Sequence, residues 1–281
     1  MSPRGFVALA LATFAAASPA AAMRLCTLVP WVAEAFAEPV DGVEVAAAAP
    51  RWAGGPVAEG AIDLGSPHTP DLERLASARC GLVVADRRLH AEQRGALDAL
   101  PSRLLWVGGG SIDATFASLL EVAESAGEAP ARTAMATRVA AARRELEALR
   151  SSEPLPALAL FGAPGSWLAM TADSWLGDLI ATLGWRNLAD GAGQRAERPG
   201  FVPLSDEWLL TLEPRVVLLL AHGDPTAVEA GFRREASRRP AFGALAARVR
   251  VLDPELFGAN PGLRLPDAAR RLREIAGGGA G

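Results

Sequence analysis

Two glutamates stand at matched places in this chain. Glu73 closes the stretch Thr69-Pro70-Asp71-Leu72-Glu73, and Glu207 closes Ser205-Asp206-Glu207. Each lies in the first turn of a predicted short helix, behind a capping residue. Each also precedes the start of an apolar run by nine residues: Leu82-Val83-Val84-Ala85 in one case, Val216-Val217-Leu218-Leu219-Leu220 in the other. A carboxylate so placed has two uses. It stabilises its own helix by roughly 0.3–1 kcal/mol through the dipole at the N-terminus. Exposed, it accepts the paired N–H groups of an arginine on another molecule, a charge-assisted contact that fixes orientation. The repeat implies two lobes built alike, each presenting one acid to a basic partner.

A second group of residues suits the binding of a bulky small molecule. Trp31, Pro67, His68, Arg87, Arg88, Trp167, Phe201 and Phe257 fall in or beside loops that flank strand-like runs. Aromatic faces pack on rings and methylenes, and guanidinium meets carboxylate, phosphate or hydroxamate oxygens. Each of these aromatics serves a core equally well, and Trp175, Trp185 and Trp208 fall within or at the ends of predicted helices, where core packing is the simpler use. His68 and His222 sit in loops and can ligate a bare metal or a haem iron, or hydrogen-bond to ligand or backbone. No metal site is assigned to them. His90 falls on a predicted helix. Cys26 and Cys80 are the two cysteines; they form one disulfide or remain buried thiols, a choice that geometry makes. No catalytic residue emerges. Gly108-Gly109-Gly110-Ser111 lacks the lysine of a phosphate loop, and Gly162-Ala163-Pro164-Gly165-Ser166 does not bracket its serine as a nucleophile elbow requires.

These loops must hang on α/β layers. Short strands are predicted at Arg24–Val29, Val43–Ala47, Leu104–Val107, Ala157–Phe161 and Arg248–Leu252, besides the two repeat runs. They alternate with predicted helices at Val32–Ala37, Arg88–Leu100, Ile112–Ala126, Trp175–Leu183 (closed by Gly184), Arg233–Ala246 and Pro266–Ile275, which is the pattern of a parallel sheet. Ala131–Arg150 contains neither proline nor glycine. Twenty residues of helix reach about 30 Å, enough to join two lobes, although a surface helix of one domain has the same composition. The chain has 281 residues, half of them hydrophobic, enough for a core in each half. Its net charge of −4 speaks against nucleic acid as a partner. All 28 strongly basic residues are arginine, and tyrosine is absent. At the N-terminus, Arg4, the apolar stretch Phe6–Ala17 and the small residues Ser18–Ala22 read as an export signal cleaved after Ala22, with a retained membrane anchor as the alternative, and hence as an exported protein.

Taken in order, these pieces resemble the periplasmic substrate-binding proteins of ABC importers for ferric siderophores and cobalamin. Arg24-Leu25-Cys26-Thr27-Leu28-Val29-Pro30 is similar to the family's opening strand. Asp63-Leu64-Gly65-Ser66 with Pro70-Asp71-Leu72-Glu73 resembles its first-lobe signature, Ser205-Asp206-Glu207 its second, and Leu256 to Gly262 its closing segment. Arg79-Cys80 and Arg215 depart from the proline-aspartate step usual before the two strands. The resemblance implies an α/β fold of two Rossmann-like lobes linked by a single long interdomain helix, the class III periplasmic binding protein fold. It divides the chain into a signal peptide (1–22), an N-terminal lobe (23–130), a connecting helix (131–151), a C-terminal lobe (152–276) and a disordered tail (277–281). It implies a non-enzymatic monomer without cofactor, whose ligand is a ferric siderophore or a corrinoid. Cobalamin, haem or a metal ion are the alternatives within the class, and an exported α/β enzyme is the alternative outside it. It further implies that Glu73 and Glu207 dock on arginines of an ABC permease, which works with its ATPase at the inner membrane.

Overall fold

The computed structural model describes residues 22–277 apart from 39, 41, 52–54, 128, 164, 193–198 and 222–223. The proposed export signal and the tail therefore lie outside the described residues, save for their innermost members. The elements run β1 (Met23–Thr27), α1 (Pro30–Ala37), β2 (Val43–Ala48), β3 (Ile62–Asp63), α2 (Leu72–Ser77), β4 (Leu82–Asp86), α3 (Arg94–Asp98), β5 (Arg103–Val107), α4 (Ile112–Ala126) and α5 (Ala129–Ala148). The second half runs β6 (Pro156–Ala163), β7 (Ser166–Met170), α6 (Trp175–Thr182), β8 (Arg186–Asn187), β9 (Phe201–Pro203), α7 (Asp206–Leu210), β10 (Val216–Ala221), α8 (Pro225–Ala236), α9 (Pro240–Gly243), β11 (Val249–Val251), α10 (Pro254–Phe257) and α11 (Leu265–Gly277). No helix among the described residues is long and apolar enough to cross a membrane.

Two sheets result. The first has the order β3-β2-β1-β4-β5 and is parallel throughout. The second has the order β11-β10-β6-β7-β9, with β8 pairing β6; β7 is antiparallel to both its neighbours. Strands buried on both faces read as continuous apolar runs, and β10 (Val-Val-Leu-Leu-Leu-Ala) is buried at every residue. The repeat seen in the sequence is a repeat of structure. In each sheet an edge strand, β3 or β9, leads into a short helix, α2 or α7, and the chain then returns to an inner strand, β4 or β10.

One core cluster runs through both lobes. It joins Leu82 and Val84 of the first sheet to Ala159 and Leu218 of the second through side chains of α4, α5, α6 and α11. The outer faces of the two sheets have separate clusters, around Val83, Leu75 and Leu97 and around Leu219, Phe232 and Phe242. On α5 the buried residues Ala131, Met135, Val139, Ala142 and Leu146 form one narrow stripe at three- and four-residue spacing. Arg138 of α5 donates to the Ala35 carbonyl and pairs with Glu38, at the end of α1. Past the other end of α5, Arg150 donates to the Thr182 carbonyl of α6, and Ser151 N–H to that of Leu183. The helix begins two residues before the predicted 131 because Pro130 falls in its first turn, where a missing N–H costs nothing.

Other expected elements shift for identifiable reasons. Pro30 opens α1, so Trp31 lies in a helix and not in a loop. The predicted helix Arg88–Leu100 is reduced to α3, because side chains of Asp86 and His90 capture amides of the segment in a turn. The predicted helix Arg233–Ala246 is split at Pro240 into the end of α8 and α9. From Ala259 the closing segment, expected with the second lobe, makes its polar contacts with the first. Arg51 donates to the carbonyls of Ala259 and Asn260, and the Asn260 amide donates to the Gly109 carbonyl and Thr115 Oγ1. Cys26 of β1 and Cys80, two residues before β4, form a disulfide.

Candidate functional site

In a parallel α/β sheet, ligands gather where the strands end at their carboxyl edges. At that edge of the first sheet, two loops come together. The loop after β3 carries Pro67 and His68; the turn after β4 carries Arg87 and Arg88. His90, wholly buried, lies between them. Its Nδ1 accepts the Asp86 N–H at 2.9 Å, and its Nε2 meets the Pro67 carbonyl at 2.8 Å. Burial holds the imidazole pKa below its usual 6.5, against the opposing pull of the Pro67 carbonyl and the Asp86 charge. His68 is exposed, with its carbonyl accepting from Gln93 Nε2. Arg87 and Arg88 are both exposed. Arg87 donates to the Trp106 carbonyl at 2.7 Å, and Arg94 stacks over the Trp106 ring at 4.3 Å.

Arg88 reaches the other lobe. Its Nη1 donates to the Pro199 carbonyl at 3.3 Å. A Cβ on Gly110 would meet both Arg88 Nη1 and the Asp173 carbonyl at 3.4 Å, so the glycine turn after β5 leaves room for the guanidinium there. Phe201 opens β9 beside Phe161, the ring centres 5.6 Å apart, and is half-buried.

Three expected ligand contacts belong to the core instead. Trp31 is buried, with its ring against Gly109 and its Cβ against Gly262. Trp167 packs edge-on against Phe232, and its indole N–H donates to Glu235 Oε2 at 2.7 Å. Phe257 is fully buried and stacks on Trp175. Such rings lose more water-exposed area in the interior than any loop would cover, and the strand pattern alone does not reveal on which face each ring lands. Pro67 is also buried, and contributes its carbonyl to His90. His222 lies outside the described residues. Among the described residues no group of three or more His, Cys, Asp or Glu is arranged to hold a metal ion. The residues missed from sequence are His90 and Asp178, whose carboxylate bonds to the backbone of α4; neither sits in a motif, and only the folded chain brings each to its partner.

Glu73 and Glu207 occupy equivalent positions. Each is exposed and is the second residue of its helix. Asp71 caps α2 by accepting from the N–H groups of Glu73 and Arg74; Ser205 caps α7 by accepting from that of Trp208. Since β3 and β9 run parallel to the central strands of their sheets, both helices start at the edge where the cleft loops lie.

Residues 37–248 match the family model described as periplasmic binding protein. Over 91 residues, 32% of this chain, the sequence is 31% identical to the high-affinity heme uptake system protein IsdE of Staphylococcus aureus; the match spans 30% of that relative's length. Among solved structures, the chain is similar to an ABC transporter substrate-binding protein from Listeria monocytogenes EGD-e, with a TM-score of 0.76, 19% identity, and coverage of 90% of this chain and 98% of the other. It is similar to S. aureus IsdE complexed with heme, with a TM-score of 0.72, 18% identity, and coverage of 90% and 98%. It is also similar to the periplasmic heme-binding protein BhuT in complex with two hemes, with a TM-score of 0.68, 23% identity, and coverage of 92% and 100%. At these identities the likeness to solved structures is one of fold.

Proposed function

The chain belongs to the periplasmic binding protein family, and from that premise we propose that it captures haem between its two lobes and delivers it to the permease and ATPase of an ABC importer. The family is one of carriers and not of enzymes. The observation that carries the ligand assignment is the grouping of His68, Arg87 and Arg88 on two loops tied together at the edge of the first sheet. Imidazole is an iron ligand, and the guanidinium fork fits a carboxylate. Haem presents both an open axial position and two carboxylates. A ferric siderophore or a corrinoid, the ligands expected first from sequence, asks less of an imidazole, since a siderophore fills the iron's coordination with its own oxygens. The names of the heme-binding relatives support the same choice.

The siderophore reading keeps one specific support. Arg87, Arg88 and the half-buried Phe201 form a set of anion-binding and apolar contacts that needs no metal ligand. Export through the Phe6–Ala17 stretch and docking through Glu73 and Glu207 are part of the same proposal. The core cluster that passes through α4, α5, α6 and α11 favours capture by a small hinge motion over wide closure.

Titration of the purified mature chain with hemin tests the assignment. A shifted Soret band saturating at one or two hemins per chain is expected, and His68→Ala should move the band and weaken binding. Thermal shifts with ferric hydroxamates, cobalamin and divalent metals run alongside, because a ligand of the folded state raises the melting temperature by mass action. A shift with a ferric hydroxamate and no hemin spectrum would replace haem by a siderophore.

A further inference from the structure

His90 makes no contact that a ligand could use, yet both of its ring nitrogens are committed, each to a different part of the chain. The Pro67 carbonyl only accepts, so Nε2 carries the proton, and the Nδ1 lone pair receives the Asp86 N–H. One neutral tautomer satisfies both bonds. The turn that follows Asp86 is wound by its own carboxylate, whose Oδ1 accepts the N–H groups of Arg88 at 2.8 Å and Leu89 at 2.9 Å. The loop after β3 is closed in the same manner by Asp63 accepting from Gly65 N–H and Ser66 from His68 N–H. Each loop is thus ordered internally, and the imidazole is the pin between them. Gln93 adds a longer second attachment, from Nε2 to the His68 carbonyl at 3.4 Å.

We infer that His90 is a positioning residue of the ligand site, holding the His68 loop and the Arg87–Arg88 turn as one unit. A metal ligand and two anion-binding groups recognise a single rigid molecule only if their separation is fixed, and a shift of about 1 Å is enough to cost affinity. Groups that orient a ligand in this way change affinity by roughly 10–100-fold when removed. The inference rests on the proposal that these two loops contact the ligand.

The test uses two substitutions that each imitate one ring nitrogen. The side-chain amide nitrogen of His90→Gln reaches the place of Nε2 and keeps the bond to Pro67. The carbonyl oxygen of His90→Asn stands near the place of Nδ1, keeps the bond to Asp86 N–H and cuts the tie between the loops. With hemin as the probe, His90→Gln should bind within about threefold of the wild type and His90→Asn about tenfold or more weaker. Amide hydrogen exchange gives a readout that needs no ligand. In the wild type, the amides of Asp86, Gly65 and His68 should open with a common free energy; in His90→Asn, those of Gly65 and His68 should exchange faster, while Asp86 keeps its protection. Independent opening of the two loops in the wild type, or equal hemin affinity in the Asn variant, would overturn the inference. If wild-type protein binds no hemin, the ligand proposal fails and exchange alone decides the tie.

Discussion

Asp178 of α6 accepts the backbone N–H of Ile112, the first residue of α4, at 2.7 Å. The bond crosses from one lobe to the other. Ser111 caps α4 through the N–H of Ala114, and the carboxylate from the second lobe meets an N-terminal donor that the helix itself leaves unpaired. Burial holds the Asp178 pKa above the usual 3.8, with Asp113 adding to the effect and the Ile112 N–H opposing it. A raised folded pKa contributes stability that is full below about 3.8 and is lost as pH rises through the folded value. Burial therefore disfavours the charged form more in the folded chain than in the unfolded one. Asp178→Asn retains a carbonyl acceptor without the charge and should keep or raise the melting temperature at pH 7, its advantage shrinking toward pH 4. Asp178→Ala leaves the Ile112 N–H unmet and should cost about 1–2 kcal/mol in denaturant titration.

The buried His90 ring has the opposite dependence. Its folded pKa is depressed, chiefly by burial, so its contribution is present above the unfolded value near 6.5 and is lost as pH falls through the folded value. Wild-type stability should decline on acidification below about pH 6.5. His90→Gln, which cannot titrate, should decline less over the same window. Parallel curves for the two proteins between pH 6.5 and 5 would contradict the assignment.

Glu235 joins three elements of the second lobe. Its Oε2 accepts from Trp167 Nε1 and from the Gly165 N–H, and its Oε1 pairs with Arg239, which also pairs with Asp206 at the start of α7. Burial alone would push the Glu235 pKa up; the bonds from Trp167, Gly165 and Arg239 outweigh it and hold the carboxyl below its usual 4.5. Glu235→Ala removes the common acceptor, and a loss of about 2–3 kcal/mol is expected. Trp167 fluorescence should shift to the red in the native state. The stability difference from the wild type should narrow as pH falls through the depressed carboxyl value.

What could be read from the sequence divides along physical lines. The paired helices at Glu73 and Glu207 were legible because capping is local chemistry: Asp71 and Ser205 bond to amides two or three residues on. The strand runs were legible because doubly buried strands are continuously apolar, as β10 is. Trp31, Trp167 and Phe257 were not, because an aromatic near a strand end suits either a pocket or the interior, and tertiary packing chose the interior for all three. His90 was misplaced on a helix because a helical period runs through 88–100, while the captured amides of Asp86, Arg88 and Leu89 bind the segment into a turn.

The disulfide links β1 to the approach of β4 across a sequence separation of 54 residues. That loop contains β2, β3 and α2, so the crosslink restricts the unfolded form of most of the first lobe. Loop-closure entropy for this length corresponds to about 4 kcal/mol. Paired substitution Cys26→Ala with Cys80→Ala should lower unfolding free energy by up to that amount. Reduction of the wild type should reproduce most of the loss, and an unchanged denaturation midpoint under reductant would count against it.

Glu73 and Glu207 are exposed, second in their helices, and carried at the same end of edge strands in the two sheets. Neither carboxylate makes an ion pair with a described residue, whereas neighbouring acids do, Asp71 with Arg74 and Asp206 with Arg239. An exposed acid at the second helical position gains roughly 0.3–1 kcal/mol from the helix dipole, so neutralising it alone should change stability by no more than that. The proposed docking on permease arginines would ask far more of it, since a reversed charge would face like charge at the contact. Glu73→Arg and Glu207→Arg should each leave hemin affinity within about twofold and the melting temperature within a few degrees, while uptake in cells carrying the cognate permease falls to background. Glu73→Gln and Glu207→Gln should lie between. Full uptake with both charges reversed would remove docking from their role and leave helix stabilisation alone.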